Sequence, residues 1–466
     1  MKKNTAILFT MILMLAALAI SANAAAPAND NFAQAEPIVL QGDATTVHST
    51  NVEATREVNE PIHYSGTSGE CSVWYKWTAS ERRAMQIELS ENFGSSMSIY
   101  RSAQASPAFA DLVRVNSATD ASSVSGKYQM RFASDAGVTY YIAIDSALSM
   151  PHSGTFDITV RRFHYRYAAE WNSTDMRSSL SVFRPSDGVW HSIYEPSRIE
   201  LLSTSNMFSM RWGQAGDTPV TGDFAGFGRS AEVVTRNING QKVWMFENSF
   251  SAPGQFYTWG LATDTPLTGD FDNDGRADLV ALRKGAQGLE WYVRQSTNGA
   301  LKVFNWGLNT DKPVLGDFDG DGATDVAVTR VDQQGKLVWH ILLSGLNGNT
   351  PYGQYTGLQF GLGSDMNALG DFDGDLKTDI AVYRPADGNW YILRSSDQQL
   401  ASAQFGAMGD IPQPSDYDGD GKADFGVYRQ STSEWFMLLS TNNTMKGFKW
   451  GAPGDIPIAS FNALLQ

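Results

Sequence analysis

The sequence predicts an all-β protein of two units, an N-terminal β-sandwich and a β-propeller of six blades, with seven as the alternative count. Three observations predict it. Four residue series recur in phase about every 47 residues through the C-terminal 290 residues. Each recurrence reads as four short apolar or alternating runs bounded by Gly, Asp and Asn, the pattern of strands and turns. No segment of that half sustains a helical period. Four strands in one repeat is the sequence form of a propeller blade.

The chain has 466 residues, 42% of them hydrophobic and 18% charged, with 43 Gly, a globular balance rich in turns. At its start, Lys2 and Lys3 precede the apolar run 6–20 and the small-x-small site Ala22-Asn23-Ala24. Residues 1–24 therefore read as a secretory signal peptide. No Cys stands at the cleavage point for a lipid anchor, and no later apolar stretch is long enough to span a membrane. The mature protein is expected outside the cytoplasm, secreted or at the cell surface, with the periplasm as an alternative. Cys71, the sole cysteine, permits no intrachain disulfide and reads as a small core residue beside Val73 and Trp74.

Residues 27–162 read as the sandwich, 163–174 as a linker and 175–466 as the propeller. Within the last, aromatic-Gly pairs begin at Trp212, Trp259, Trp306, Phe360, Phe405 and Trp450. A second aromatic series comprises Trp190, Trp244, Trp291, Trp339, Trp390 and Trp435, and a run-ending arginine recurs at Arg184, Arg236, Arg283, Arg330, Arg384 and Arg429. An Asp follows each aromatic-Gly pair, at Asp217, Asp264, Asp311, Asp365, Asp410 and Asp455. We read the Trp residues as packing between blades, and the Arg residues as ties between neighbouring strands or blades, in preference to ligand contacts. In the last full unit the expected strands are 413–417, 424–429, 434–440 and 445–450. The first unit lacks its leading Gly-Asp-x-Pro strand and Asp loop, and Gly454 to Phe461 supplies a spare strand. That strand is expected to complete the first blade and leave no open edge. A seventh blade would require a degenerate unit near Phe163 to Asn172.

Four units carry Asp-x-Asp-x-Asp-Gly-x-x-Asp or a close variant between the first and second strands. The sets are Asp270, Asp272, Asp274 and Asp278; Asp317, Asp319, Asp321 and Asp325; Asp371, Asp373, Asp375 and Asp379; Asp416, Asp418, Asp420 and Asp424. Hard oxygen donors at alternate positions can wrap one calcium ion, with a Gly allowing the sharp turn after the third Asp. Carbonyls at the seventh positions, Arg276, Ala323, Lys377 and Lys422, could add a ligand. With no Glu at position twelve, these are not EF-hands. Leu376 replaces the Gly in the third loop, which is expected to strain or weaken that site. The loop from Asp223 has lost its middle carboxylates and is expected to hold no ion.

The formal charge of −15 becomes −17 once Lys2 and Lys3 leave, and about −9 with four divalent ions bound. Such a chain has no basic footprint for nucleic acid. Six His residues occur, none in a nucleophile elbow, a His-Glu-x-x-His helix or a paired Cys/His set. The expectation is a non-catalytic recognition or adhesion protein that binds an extracellular protein or glycan. A lectin is the alternative, and a polysaccharide-acting enzyme stands further back.

The repeats resemble the FG-GAP/VCBS family, the blades of integrin α-subunit heads and of many bacterial surface proteins, over about 175–466. That resemblance implies calcium in the four Asp loops and ligand binding through loops and blade junctions. Residues 27–160 resemble the bacterial pre-peptidase C-terminal (PPC) domain. The residues that carry this are Asn29-Asp30-Asn31-Phe32-Ala33, Ser72-Val73-Trp74-Tyr75-Lys76-Trp77, Ser98-Ile99-Tyr100, Gly137-Val138-Thr139-Tyr140-Tyr141-Ile142-Ala143-Ile144-Asp145 and Gly154-Thr155-Phe156. The resemblance implies a jelly-roll-like sandwich acting as an accessory or binding module.

Overall fold

The computed structural model describes residues 25–42, 44–63, 71–80, 83–91, 93–102, 104, 106–119, 126–146, 153–162, 178–193, 207–224, 230–247, 256–344 and 355–458. The expected signal segment 1–24, the expected linker 163–174 and the stretch that would hold a seventh blade lie outside these residues.

All regular structure among the described residues is β, apart from two single 3₁₀ turns at Phe32–Gln34 and Phe109–Asp111. The N-terminal unit has two sheets. One orders Glu36–Pro37, Val73–Thr78, Thr139–Ser146, Ser95–Ser102 and Val113–Thr119; the other orders Ala44–Thr50, Thr155–Arg162, Arg83–Glu91 and Gly126–Ser134. Alternation drives this packing. Val73, Tyr75 and Trp77 point to one side, where they meet Ile142, Ile144, Ile87, Leu89, Ile158 and Val160 in one cluster drawn from both sheets. Cys71 is buried in the same cluster, as a small core residue. Trp74, on the opposite face, packs with Phe32, Tyr100 and Tyr141.

The repeats form six four-stranded antiparallel sheets. Five run in simple chain order over 218–261, 265–305, 312–362, 366–404 and 411–449. The second strand of each sheet is buried nearly throughout, the third alternates, and the fourth exposes every other residue. Burial thus falls from the middle of each sheet to its outer strand, matching the shift from continuous apolar runs to alternation. The first sheet is completed from far along the chain: Val182 pairs with Pro457 and Phe183 with Ile456, and Ile458 N donates to Ser181 O at 2.8 Å.

One expected boundary is corrected. The first strand of the last full sheet is Ile411–Pro412, with an isolated bridge between Ser415 and Asp424, and not 413–417. Gln413 N still donates to Gly426 O at 2.7 Å, but Pro414 has no N–H to carry the ladder on to the bridge at Ser415.

The recurring residues now have distinct tasks. The Arg of each second strand forms a two-pronged ion pair with the Asp before the first strand of the same sheet. These are Arg236–Asp217, Arg283–Asp264, Arg330–Asp311, Arg384–Asp365 and Arg429–Asp410, with Arg184–Asp455 joining the two ends of the first sheet. All twelve bonds span 2.6–2.9 Å, and every one of these Asp side chains is at most 1% exposed. Matched guanidinium and carboxylate forks of this kind are strong and directional.

The six third-strand Trp residues are all 0% exposed. Five donate their indole N–H to the carbonyl of the aromatic residue in the aromatic-Gly pair of their own sheet. Four aromatic-Gly indoles reach onward to the next sheet: Trp212 to Met245 O, Trp259 to Tyr292 O, Trp306 to His340 O, and Trp450 back to His191 O of the first sheet. The Gly after each aromatic is also required. Gly307 has φ +94°, and its carbonyl lies so near Gly288 that a Cβ there would sit 2.3 Å away.

Candidate metal centre

The first-to-second strand connections lie at the sheet ends opposite the Arg–Asp pairs, because each Arg closes the second strand that each Asp loop opens. In four successive sheets the loop folds back on its first Asp. The Asp270 carboxylate accepts from Asp274 N at 3.0 Å and Gly275 N at 2.8 Å. Asp317, Asp371 and Asp416 accept from the amides at positions four and six, where Asp270 takes those at five and six, at 2.6–3.0 Å. The ninth-position Asp is held by two amides, one at position two and one from the turn after the third strand. For Asp424 these are Tyr417 N at 2.7 Å and Ser440 N at 2.6 Å. Position six requires a positive φ, which Gly275, Gly322 and Gly421 supply at 80–90°. Leu376 adopts φ +74° at the same place, so the expected strain is present. Position four also turns left-handed, with Gly320, Gly374, Gly419 and, in the first loop, Asn273 at φ 54°.

This folding brings three carboxylates together per loop: Asp270, Asp272 and Asp278; Asp317, Asp319 and Asp325; Asp371, Asp373 and Asp379; Asp416, Asp418 and Asp424. In each trio one oxygen per residue lies within 4.8 Å of the others. Oxygens that each sit about 2.4 Å from a shared ion are at most about 4.8 Å apart, so the spacing fits calcium-length bonds. The trios contain no Cys or His, and all-oxygen donors suit a hard divalent cation. The expected fourth carboxylates, Asp274, Asp321, Asp375 and Asp420, fall outside the trios. Each accepts the Oγ–H of a serine after the third strand: Ser296, Ser344, Ser395 or Ser440, at 2.7–2.8 Å. The seventh-position amides of Arg276, Ala323, Lys377 and Lys422 bond to the same four Asp residues at 2.8–3.0 Å.

The serines are functional residues that the Asp pattern alone did not reveal. Each donates its amide to the ninth-position Asp and its hydroxyl to the fifth, closing one side of the loop. Thr297, Ser396 and Thr441 beside them donate to the third-position Asp at 2.6–2.7 Å. A signal was present: a Ser stands two residues past the third strand in all four Asp-rich sheets, where the other two have Glu195 and Asn248.

Electrostatics point the same way. Burial first, then the charges of Asp278, Asp274 and Asp272, push Asp270 well above the usual carboxylate range. Burial and neighbouring carboxylates do the same to Asp278, Asp325 and Asp416. Burial is also the main cause that raises Asp379 to about 6 and Asp424 to about 7. Crowded, buried carboxylates of one sign favour the protonated form, and a bound cation would reverse that. In the loop that starts at Asp223, residues 225–229 lie outside the described ones.

The FG-GAP-like repeat family matches residues 270–328, the stretch that holds the first two Asp trios. No curated protein matches the chain. A solved structure of cobalt-substituted Synechocystis ACO is 8% identical, with a TM-score of 0.32, over 82% of this chain and 94% of that one. Likeness at that level relates neither fold nor activity.

Proposed function

We propose that this is an exported, non-catalytic recognition or adhesion protein whose six repeat sheets close into a calcium-loaded six-bladed propeller. The single observation that carries the metal reading is the fourfold recurrence of one carboxylate trio at loop positions one, three and nine. The ring is supported by the onward indole bonds, which pass from sheet to sheet and return from Trp450 to His191. The N-terminal unit is proposed as a PPC-like, jelly-roll-like module, in keeping with two sheets sharing one core. Calcium would be held by the three carboxylates of each trio, and its role is structural: an ion that binds only the folded loops stabilises them.

With all six third-strand Trp residues buried, those indoles are unavailable for stacking on sugars. Recognition is therefore assigned to loops, for a protein or glycan partner outside the cell. The test is binding of the mature protein to a panel of glycans, polysaccharides and extracellular proteins, with calcium and with chelator. Calcium-dependent, saturable capture of one class supports the reading. Turnover of a polysaccharide, or no capture by folded protein, overturns it.

A further inference from the structure

The four Asp loops are wired in series. In each step the amide at position eight of one loop donates to the main-chain carbonyl of the first Asp in the loop before it. Thr324 N reaches Asp270 O at 2.6 Å, Thr378 N reaches Asp317 O at 2.7 Å, and Ala423 N reaches Asp371 O at 2.7 Å. Position eight directly precedes the ninth-position carboxylate, so each bond joins the first donor of one trio to the neighbour of the last donor of the next. Two junctions are doubled, because Asp270 N donates to Thr324 Oγ1 at 2.9 Å and Asp317 N to Thr378 Oγ1 at 3.0 Å. The third has alanine, Ala423, and no return bond from a hydroxyl at that position.

Further contacts follow the same path. Asn273 Nδ2 donates to Asp321 O at 3.0 Å, and the Lys377 and Lys422 stems lie against Gly320 and Gly374, where an added Cβ would come within 3.0–3.1 Å. The series extends past the trios at both ends, from Ala277 N to Asp223 O and from Ser178 N to Asp416 O.

We infer that the four loops take up calcium cooperatively, each filled loop ordering the donors of the next through these junctions. The inference rests on the metal reading above. Its physical basis is that an ion which fixes Asp270 and its carbonyl also fixes the backbone at Thr324, beside Asp325. The second ion then meets a partly ordered site and loses less conformational freedom on binding. Coupling between sites is typically about 5–150-fold in affinity. The doubled junctions should couple most tightly, and the single bond at Ala423 least.

The test is a calcium titration of the mature, full-length protein, followed by calorimetry and by tryptophan fluorescence. The expected wild-type curve is steeper than a hyperbola, with a Hill coefficient above one and no greater than four. A Thr324→Val/Thr378→Val double variant keeps the side-chain shape and the backbone bonds but removes both hydroxyls. Its Hill coefficient should fall towards one, with four ions still bound and an unchanged circular dichroism spectrum. The converse variant, Ala423→Thr, places a hydroxyl against Gly370, as Thr324 lies against Gly269 and Thr378 against Gly316, and should steepen the curve. Four ions bound along a simple hyperbola in the wild type, or a Hill coefficient unmoved by both variants, overturns the coupling and leaves the metal reading intact. No calcium bound by folded protein overturns both.

Discussion

Replacing Leu376 with glycine should stabilise the protein, against the usual direction of core-loop substitutions. Leu376 holds φ +74°, where the equivalent positions of the other three loops are Gly275, Gly322 and Gly421. Its backbone is nonetheless placed as theirs are, since Leu376 N donates to Asp371 Oδ2 at 3.0 Å against 2.8–2.9 Å for the three glycines. The loop therefore imposes the left-handed conformation and the side chain only carries its cost, about 1–2 kcal/mol for a residue with a Cβ. Glycine gives back about 0.5–1 kcal/mol through the greater freedom of its unfolded chain. The net gain is about 0.5–1 kcal/mol, roughly 1–3 °C in melting temperature for a unit of this size. Scanning calorimetry of Leu376→Gly and wild type in saturating calcium reads it, and Gly421→Leu should shift the melt the other way. A Leu376→Gly melt equal to or below wild type would refute the reasoning, because the strain would then not reside in that residue's backbone.

Three other perturbations test other parts of the structure. Chelation should lower the melting temperature sharply: with calcium at 100 times a Kd of about 10⁻⁴ M, each site contributes about 2.7 kcal/mol, and an unchanged melt would remove the metal assignment. The pH response should differ between the two states. In chelator, Asp379 at about 6 and Asp424 at about 7 stand above the unfolded carboxylate value near 3.9, so their contribution is fully present at low pH and lost as pH rises through 6–7. The chelated melting temperature should fall from pH 5 to pH 8 while calcium affinity rises; a chelated melt that climbs across that window contradicts the crowded-carboxylate picture. Truncation before Gly454 removes Asp455 from Arg184 and strips Val182 and Phe183 of their partners on one edge, leaving them paired only with His191 and Trp190. Limited proteolysis should then cut within 178–453, and a truncated chain as resistant as wild type would show that the last strand is dispensable.

Much of this architecture was legible because it repeats. A single Asp-rich turn says little, but four in phase with a Trp, an Arg and an aromatic-Gly pair fix both the period and the strands between them. The first sheet's borrowed strand could be inferred from a missing Gly-Asp-x-Pro segment at one end and a surplus one near Asp455. What escaped were features that depend on how the turns meet in space. The serines at 296, 344, 395 and 440 lie 16–19 residues from the ninth-position Asp they hold, and a lone Ser after a strand reads as ordinary turn chemistry. Four carboxylates per loop looked equivalent on spacing alone, and only the folded turn separates the trio from the fifth-position Asp. In the N-terminal unit, Glu60 is buried with bonds to His63 Nε2 and Trp74 Nε1 at 2.9 and 3.0 Å, a cluster no local pattern announced.

The borrowed strand also sets an order of events. Arg184 finds Asp455 only across 271 residues, so a chain emerging N-terminus first carries an incomplete first sheet until residues 455–458 have been made. The second to sixth sheets are each built from local hairpins and can form early, whereas the last step waits on a long-range closure that is slow for entropic reasons. Until that step the strand edge at Val182 and Phe183 stays available to any other strand, including one from a second molecule. Folding yield, more than final stability, is where changes at residues 455–458 would first be felt.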